Sequence, residues 1–166
     1  KYGIAEGEEA LKVLRTLDKL PKIGEDKTRA LFASENSLGQ RAIDGIFEFL
    51  DLNPEELSAF FKGDSVGELG AEEIQMLLNL ADEMGIGDMV DVDLSIARGL
   101  DYYTGTIYET FLTDVEGLGA VMSGGRYDEL LDRFGKERVP SVGISLGLDR
   151  LFSCLVDSGD LALRAS

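Results

Sequence analysis

Apolar positions along this chain follow two different periods. Through residue 89 they recur at helical spacing; from Val90 they begin to alternate. Leu11, Val13, Leu14 and Leu17 form a stripe within residues 6–20, and Pro21 reads as its stop. Asp26 is placed to cap a helix over residues 28–35. After Gly39, the stripe Ile43, Ile46, Phe47, Leu50 predicts another helix. Asn53-Pro54-Glu55-Glu56 carries the marks of a helix start: a capping side chain, proline in the first turn, and acids near the positive end of the dipole. Leu57, Phe60 and Phe61 would pack inward from it. Residues 62–70, rich in glycine and short polar side chains, read as a loop. A last helix is expected from about Ala71 to Gly85 or Gly87, with Ile74, Leu77, Leu78 and Ala81 on one face. These aromatic and aliphatic stripes read as core.

In the second half, Val90, Val92 and Leu94 alternate with acids, and the extended pattern runs on through residues 100–112. Thr106, Tyr108 and Thr110 would point to one face, Ile107, Glu109 and Phe111 to the other. Residues 114–119 read as a hairpin-like connection, 120–122 as a short strand, 127–134 as a helix with Leu130 and Leu131 buried, 141–146 as a strand, and 147–156 as a helix. The sum is an α+β fold of two units, a helical domain over residues 1–89 and a sheet-containing domain over 90–166.

Composition narrows the chemistry. Among 166 residues there is no histidine, which removes Ser-His and Cys-His catalysis and most zinc sites. The single cysteine, Cys154, lies among Leu151, Phe152, Leu155 and Val156 and reads as an inert core thiol. No apolar run reaches membrane-spanning length and no secretory signal opens the chain, so the cytosol is the default compartment. The formal net charge is −16, with 19 acids against 9 bases in residues 1–90 and 13 against 7 in residues 91–166. Such a surface repels a phosphate backbone, which argues against free-standing nucleic-acid binding by this piece. An opening Lys and a short polar tail fit a piece of a longer protein.

Three segments carry candidate chemistry. Residues 98–109 read Arg-Gly-Leu-Asp-Tyr-Tyr-Thr-Gly-Thr-Ile-Tyr-Glu, residues 123–128 Ser-Gly-Gly-Arg-Tyr-Asp, and residues 140–151 Pro-Ser-Val-Gly-Ile-Ser-Leu-Gly-Leu-Asp-Arg-Leu. A guanidinium, paired phenols and a carboxylate on one ribbon are more polar than a core strand tolerates without a ligand or partners, the alternative being an edge strand with a solvated face. Taken together and in this order, the segments resemble the histidyl-tRNA synthetase family. The first looks like that family's histidine-specific signature, and the third like the last class II synthetase signature. The resemblance is strong over residues 90–157 and rests on position and helical character over residues 1–89.

The resemblance implies a helical insertion domain followed by the last part of a class II catalytic domain, an antiparallel sheet with helices. It implies a homodimeric, cytoplasmic enzyme that activates histidine with ATP and charges its tRNA, with Mg2+ accompanying ATP and no metal ligand assigned in this chain. The first two class II signatures and the anticodon-binding domain are missing, so the piece alone is expected to be inactive. Arg98 is implied to sit at the α-phosphate, where permanent charge and a planar fork suit developing negative charge. Arg150 would lie against adenine and the terminal phosphate, close to Gly147; Asp149 stands where the family more often has Glu. Tyr103 would accompany the substrate imidazole, with Tyr102 as pocket wall. Gly124, Gly125 and Gly143 would let substrate or strands come close to the backbone. Arg126 and Tyr127 are expected to order the loop, and Glu109 is a possible partner for a site arginine. The competing expectation is a synthetase-like regulatory subunit of histidine biosynthesis; a third is a module serving only assembly.

Overall fold

A computed structural model describes residues 4, 7–97, 102–113, 115, 117–129 and 139–159. The chain falls into two compact units, Lys1–Leu100 and Asp101–Ser166. The first is helical: α1 (Glu8–Leu17), α2 (Leu20–Ile23), α3 (Glu25–Ser34), α4 (Gln40–Leu50), α5 (Pro54–Phe60), α6 (Ser65–Glu83) and a 3-10 turn, Gly87–Met89. The second holds β1 (Ile107–Thr110), β2 (Met122–Arg126), β3 (Val142–Leu146) and α7 (Leu148–Asp157). The strands form one antiparallel sheet in the order β1-β2-β3. This is the α+β arrangement expected from the two periods.

The helical unit closes around Val13, Leu17, Phe32, Ile43, Ile46, Phe47 and Ala97. Phe32 is fully buried and meets Phe47 edge-on, ring centroids 6.2 Å apart. Two buried threonines keep their hydroxyls satisfied. Thr28 Oγ1 donates to the Gly24 carbonyl (2.8 Å), and Thr16 Oγ1 lies 2.9 Å from Asn36 Oδ1 and 3.1 Å from the Lys12 carbonyl. Arg29 ties α3 to α4, its Nη1 2.8 Å from Asp44 and its guanidinium 4.1 Å above the Phe47 ring.

Several local expectations hold. Gly39 precedes α4, and Asn53 and Glu56 form a reciprocal capping box at the start of α5. Others are corrected. Pro21 does not end the helical region; it sits in the first turn of α2, where its missing N–H costs nothing. Asp26 is not a cap: α3 starts at Glu25, after Gly24 at φ 81°, and both acids lie in its first turn. The predicted loop over residues 62–70 is mostly helix. Asp64 accepts from the N–H groups of Val66 and Gly67, which starts α6 at Ser65. Gly67 is there for space, since a Cβ would run into the Phe61 ring.

Not every apolar stripe is core. Along α6, Val66, Leu69, Met76, Leu77, Leu80 and Met84 are exposed, while Ala71 and Ala81 are buried. Nor do residues 90–94 form a strand. Asp93 Oδ1 accepts from the backbone N–H and the hydroxyl of Ser95, and Asp91 Oδ1 from the N–H of Val92, so local bonds take the place of a ladder. The expected helix over residues 127–134 lies largely outside the described residues; 128 and 129 form a turn.

Phe32→Ala should destabilise the helical unit by about 3–5 kcal/mol, and Asn53→Ala by about 1 kcal/mol. Urea unfolding followed by far-UV circular dichroism checks both, and equal small effects would refute this account of the core.

Candidate functional site

In the antiparallel register, paired residues share a face of the sheet. Gly125 pairs with Ile107 and Gly143, and Ser123 pairs with Glu109 and Ser145, so these six positions lie on one face. Tyr108, Gly124 and Ile144 are paired on the other. The observed alternation of β1 is therefore the predicted one.

Glycine on glycine at 125 and 143 leaves a bare patch at the centre of the first face. Two tyrosine rings occupy it. A Cβ on Gly125 would stand 2.7 Å from the Tyr103 ring, and one on Gly143 would meet the Tyr127 ring at 2.7 Å. Because the two glycines are partners, the two rings lie side by side, centroids 6.4 Å apart. Tyr102, half-exposed, packs on Tyr103 at 4.3 Å. On the opposite face the Tyr108 ring crosses Gly124, and its hydroxyl donates to the Gly143 carbonyl at 2.6 Å. Four of the chain's five tyrosines thus gather around three glycines. Each of these glycines gives its space to a ring.

The Tyr103 phenol is pushed up to about 12, first by its hydrogen bond with Tyr102, then by burial and by the phenols of Tyr102, Tyr108 and Tyr127. It stays protonated at neutral pH, a hydrogen-bond donor in an aromatic wall. Glu109 places a half-buried carboxylate on the Gly125 face.

A hydrogen-bonded frame holds this cluster. Thr104 N–H donates to the Arg126 carbonyl (2.9 Å), Arg126 N–H to the Thr106 carbonyl (3.0 Å), and Tyr127 N–H to the Ser141 carbonyl (2.8 Å). Arg126 Nε reaches both carboxylate oxygens of the buried Asp128, at 3.0 and 3.1 Å. Arg126 orders its loop as expected. Tyr127 does more, because its ring joins the site face. Thr104 and Asp128 were not singled out by sequence reasoning; the only signal was their place inside the two motifs.

Of the predicted phosphate-binding residues, Gly147 and Arg150 lie at the start of α7. Gly147 precedes α7, and its N–H donates to the Val121 carbonyl at 2.8 Å. Arg150 stands exposed in the first turn of α7, and its Nη1 donates to the Ala120 carbonyl in the connection between β1 and β2. Cys154 is buried on the same helix. Arg98 lies outside the described residues. Among the described residues no group of three or more His, Cys, Asp or Glu is placed to hold a metal ion. No described helix is long and apolar enough to cross a membrane.

Gly125→Ala should expel the Tyr103 ring and weaken the tyrosine near-UV circular dichroism, with far-UV helix signal retained; an unchanged near-UV spectrum would show that the ring does not rest on Gly125. Raising the pH should also cost stability between about 10 and 12. Below the ordinary phenol value of 10 both folded and unfolded chains hold the Tyr103 proton, and the contribution is complete; it is lost as pH climbs through about 12. The difference in alkaline unfolding between the parent chain and Tyr103→Phe isolates this loss, and identical curves would contradict it.

Residues 47–151 match the family model described as histidyl-tRNA synthetase. The histidine–tRNA ligase of Stenotrophomonas maltophilia is 38% identical over 169 residues, covering 95% of this chain and 36% of that protein. That of Clostridium tetani is 37% identical, covering 99% and 39% respectively. The chain therefore spans little more than a third of the length of these relatives. The crystal structure of histidyl-tRNA synthetase from Nostoc sp. PCC 7120 superposes with a TM-score of 0.85 at 35% identity, over 96% of this chain and 39% of that one. A Bacillus halodurans C structure titled as an ATP phosphoribosyltransferase regulatory subunit/histidyl-tRNA synthetase shares the fold, with a TM-score of 0.73 at 23% identity, over 92% of this chain and 40% of that one. With the motif order, the antiparallel sheet and the family model all in agreement, this chain belongs to the histidyl-tRNA synthetase family.

Proposed function

We propose that the chain is part of a histidine–tRNA ligase and that its tyrosine cluster is the side-chain subsite for histidine. The reading is supported above all by Tyr103, laid on Gly125 and flanked by Tyr102 and Tyr127, with a phenol that stays protonated. A neutral imidazole has one nitrogen that accepts and one that donates. The Tyr103 hydroxyl would donate to the acceptor nitrogen, and the rings would cover the imidazole plane. A ligand lacking that nitrogen offers the phenol no acceptor beyond its neighbour Tyr102, which is where discrimination would arise.

The reaction follows from two anions that must meet. An oxygen of the histidine carboxylate attacks the α-phosphorus of ATP, pyrophosphate leaves, and a tRNA ribose hydroxyl later displaces AMP from the acyl group. Arg98, which opens the segment leading to Tyr102 and Tyr103, would neutralise charge building on the α-phosphate. Arg150 would stack on adenine and meet the terminal phosphate, with Gly147 leaving room beside it. Mg2+ would be held through the phosphates of ATP.

The full-length enzyme is expected to act as a homodimer in the cytoplasm. On β3 and α7, Val142, Ile144, Leu146, Leu148 and Phe152 are all exposed, an apolar area that calls for cover by more of the same polypeptide or by a second copy. The net charge of −16 supports the reading that the main burden of tRNA binding would fall elsewhere in that enzyme. The relatives named histidine–tRNA ligase favour the ligase over the regulatory subunit.

ATP–pyrophosphate exchange by the full-length protein that contains this chain provides the test. Strict dependence on histidine is expected, and silence with histidine would support the regulatory reading instead. The 166-residue chain alone should show no exchange. In the full-length protein Arg98→Ala should lower kcat by about 10²–10³-fold with a smaller change in histidine KM. An unchanged kcat would remove Arg98 from the chemistry.

A further inference from the structure

Asp128 is a deeply buried charged side chain that directly follows Tyr127 of the tyrosine cluster. Its side chain is about 10% exposed. Its carboxylate receives two N–H groups in three contacts: Arg126 Nε on both oxygens, at 3.0 and 3.1 Å, and the backbone N–H of Ser141 on Oδ1, at 3.2 Å. Its own backbone N–H donates to Thr104 Oγ1 at 2.9 Å. One residue therefore joins three strands of chain: the segment that carries Tyr102 and Tyr103, the end of β2, and the approach to β3.

The consequences for the rings follow from adjacency. Thr104 directly follows Tyr103. It is fixed twice, by its N–H to the Arg126 carbonyl and by its hydroxyl beneath the Asp128 N–H. Tyr127 directly precedes Asp128, and its N–H is held by the Ser141 carbonyl. Ser141 is in turn held by Asp128 through its N–H. So the backbones of Tyr103 and Tyr127, whose rings must share the bare patch over Gly125 and Gly143, are both set from one residue: Tyr103 through the Asp128 N–H on Thr104, Tyr127 through the Asp128 carboxylate on Ser141. A buried carboxylate costs several kcal/mol of solvation unless it is fully bonded. Burying this one next to the cluster makes sense if the bonds it forces have a fixed geometry to hold.

We propose that Asp128, acting through Thr104, is a positioning residue that sets the Tyr102–Tyr103 pair against Tyr127 and thereby shapes the subsite for the substrate ring. The inference rests on the assignment of that subsite to histidine given above. Asp128 itself does not touch substrate. Its contribution is to keep the Tyr103 hydroxyl at one height and angle above the sheet, so that a ring nitrogen finds it without rearrangement.

The test uses Thr104→Val, Thr104→Ser and Asp128→Ala, in the 166-residue chain and in the full-length protein. Thr104→Val keeps the shape and changes no charge, so any effect on Tyr103 comes through position. The chain has no tryptophan, which leaves tyrosinate absorbance clear for an alkaline titration. In the parent chain one phenol should titrate near 12; in Thr104→Val and Asp128→Ala that component should move back toward 10, while Thr104→Ser retains it. Far-UV circular dichroism identifies a variant that has lost its fold, and Thr104→Val carries the result if Asp128→Ala has. In the full-length protein Thr104→Val should raise histidine KM about tenfold, the effect of losing one well-placed hydrogen bond, with ATP KM within about twofold. An unchanged titration in folded Thr104→Val overturns the inference. A shifted titration with an unmoved histidine KM upholds the clamp and overturns the assignment of the ring pair to substrate.

Discussion

The register between β2 and β3 is the constraint on which the second unit depends. It brings Gly125 opposite Gly143 and nothing else could make the patch on which Tyr103 and Tyr127 rest. Side chains alternate strictly along a strand, so a slip of one residue would carry Gly125 opposite a branched side chain of β3 and turn the patch to the other face. The hydrogen bond from Tyr108 to the Gly143 carbonyl guards against such a slip from the opposite side, because it is available only when Gly124 lies beneath the Tyr108 ring. Glycine weakens a strand interior. Here the weakness is offset by aromatic rings packed directly on the backbone.

What was legible in the chain depended on whether the cause was local. The alternation of β1, the capping box at Asn53 and the stripe of α4 each follow from a few neighbouring residues, and each appears as expected. The start of α6 did not, because Gly67 and Asp64 carry meanings that composition cannot separate. Glycine and aspartate crowd together in loops, yet here one makes room for Phe61 and the other caps the helix. The alternating acids near Asp91 and Asp93 gave the opposite error: a strand-like pattern whose aspartates bond their own backbone and turn the chain.

The candidate site shows the same division. Tyr102 and Tyr103 could be singled out because they are adjacent and sit in a recognisable segment. Tyr127 could not be ranked with them, since its ring joins theirs only through the Gly125–Gly143 pairing, a long-range fact. Asp128 and Thr104 were invisible for a related reason. Asp128 bonds to two separate stretches of sequence far from it along the chain, through its backbone N–H to Thr104 and through its carboxylate to Ser141, and no local pattern announces them. Arg150 is intermediate: its motif marks it, while its bond to the Ala120 carbonyl is a feature of the folded unit alone.

Charge and apolar exposure then describe how this piece relates to a larger protein. With a net charge of −16, the surface would hold polyanions away unless cations were concentrated where a phosphate must bind. Under the proposed function Arg98 and Arg150 would be those cations, since a few permanent charges close to a phosphate outweigh many diffuse ones on a screened surface. The exposed stripe of α6 and the exposed residues of β3 and α7 are apolar area that a folded protein this size normally covers. Relatives nearly three times as long have the material to do so, whereas the tyrosine cluster takes its rings, glycines and framing bonds from residues 102–143 alone. The geometry that would choose the substrate ring is therefore built inside this unit, and what a longer chain would add is closure around it.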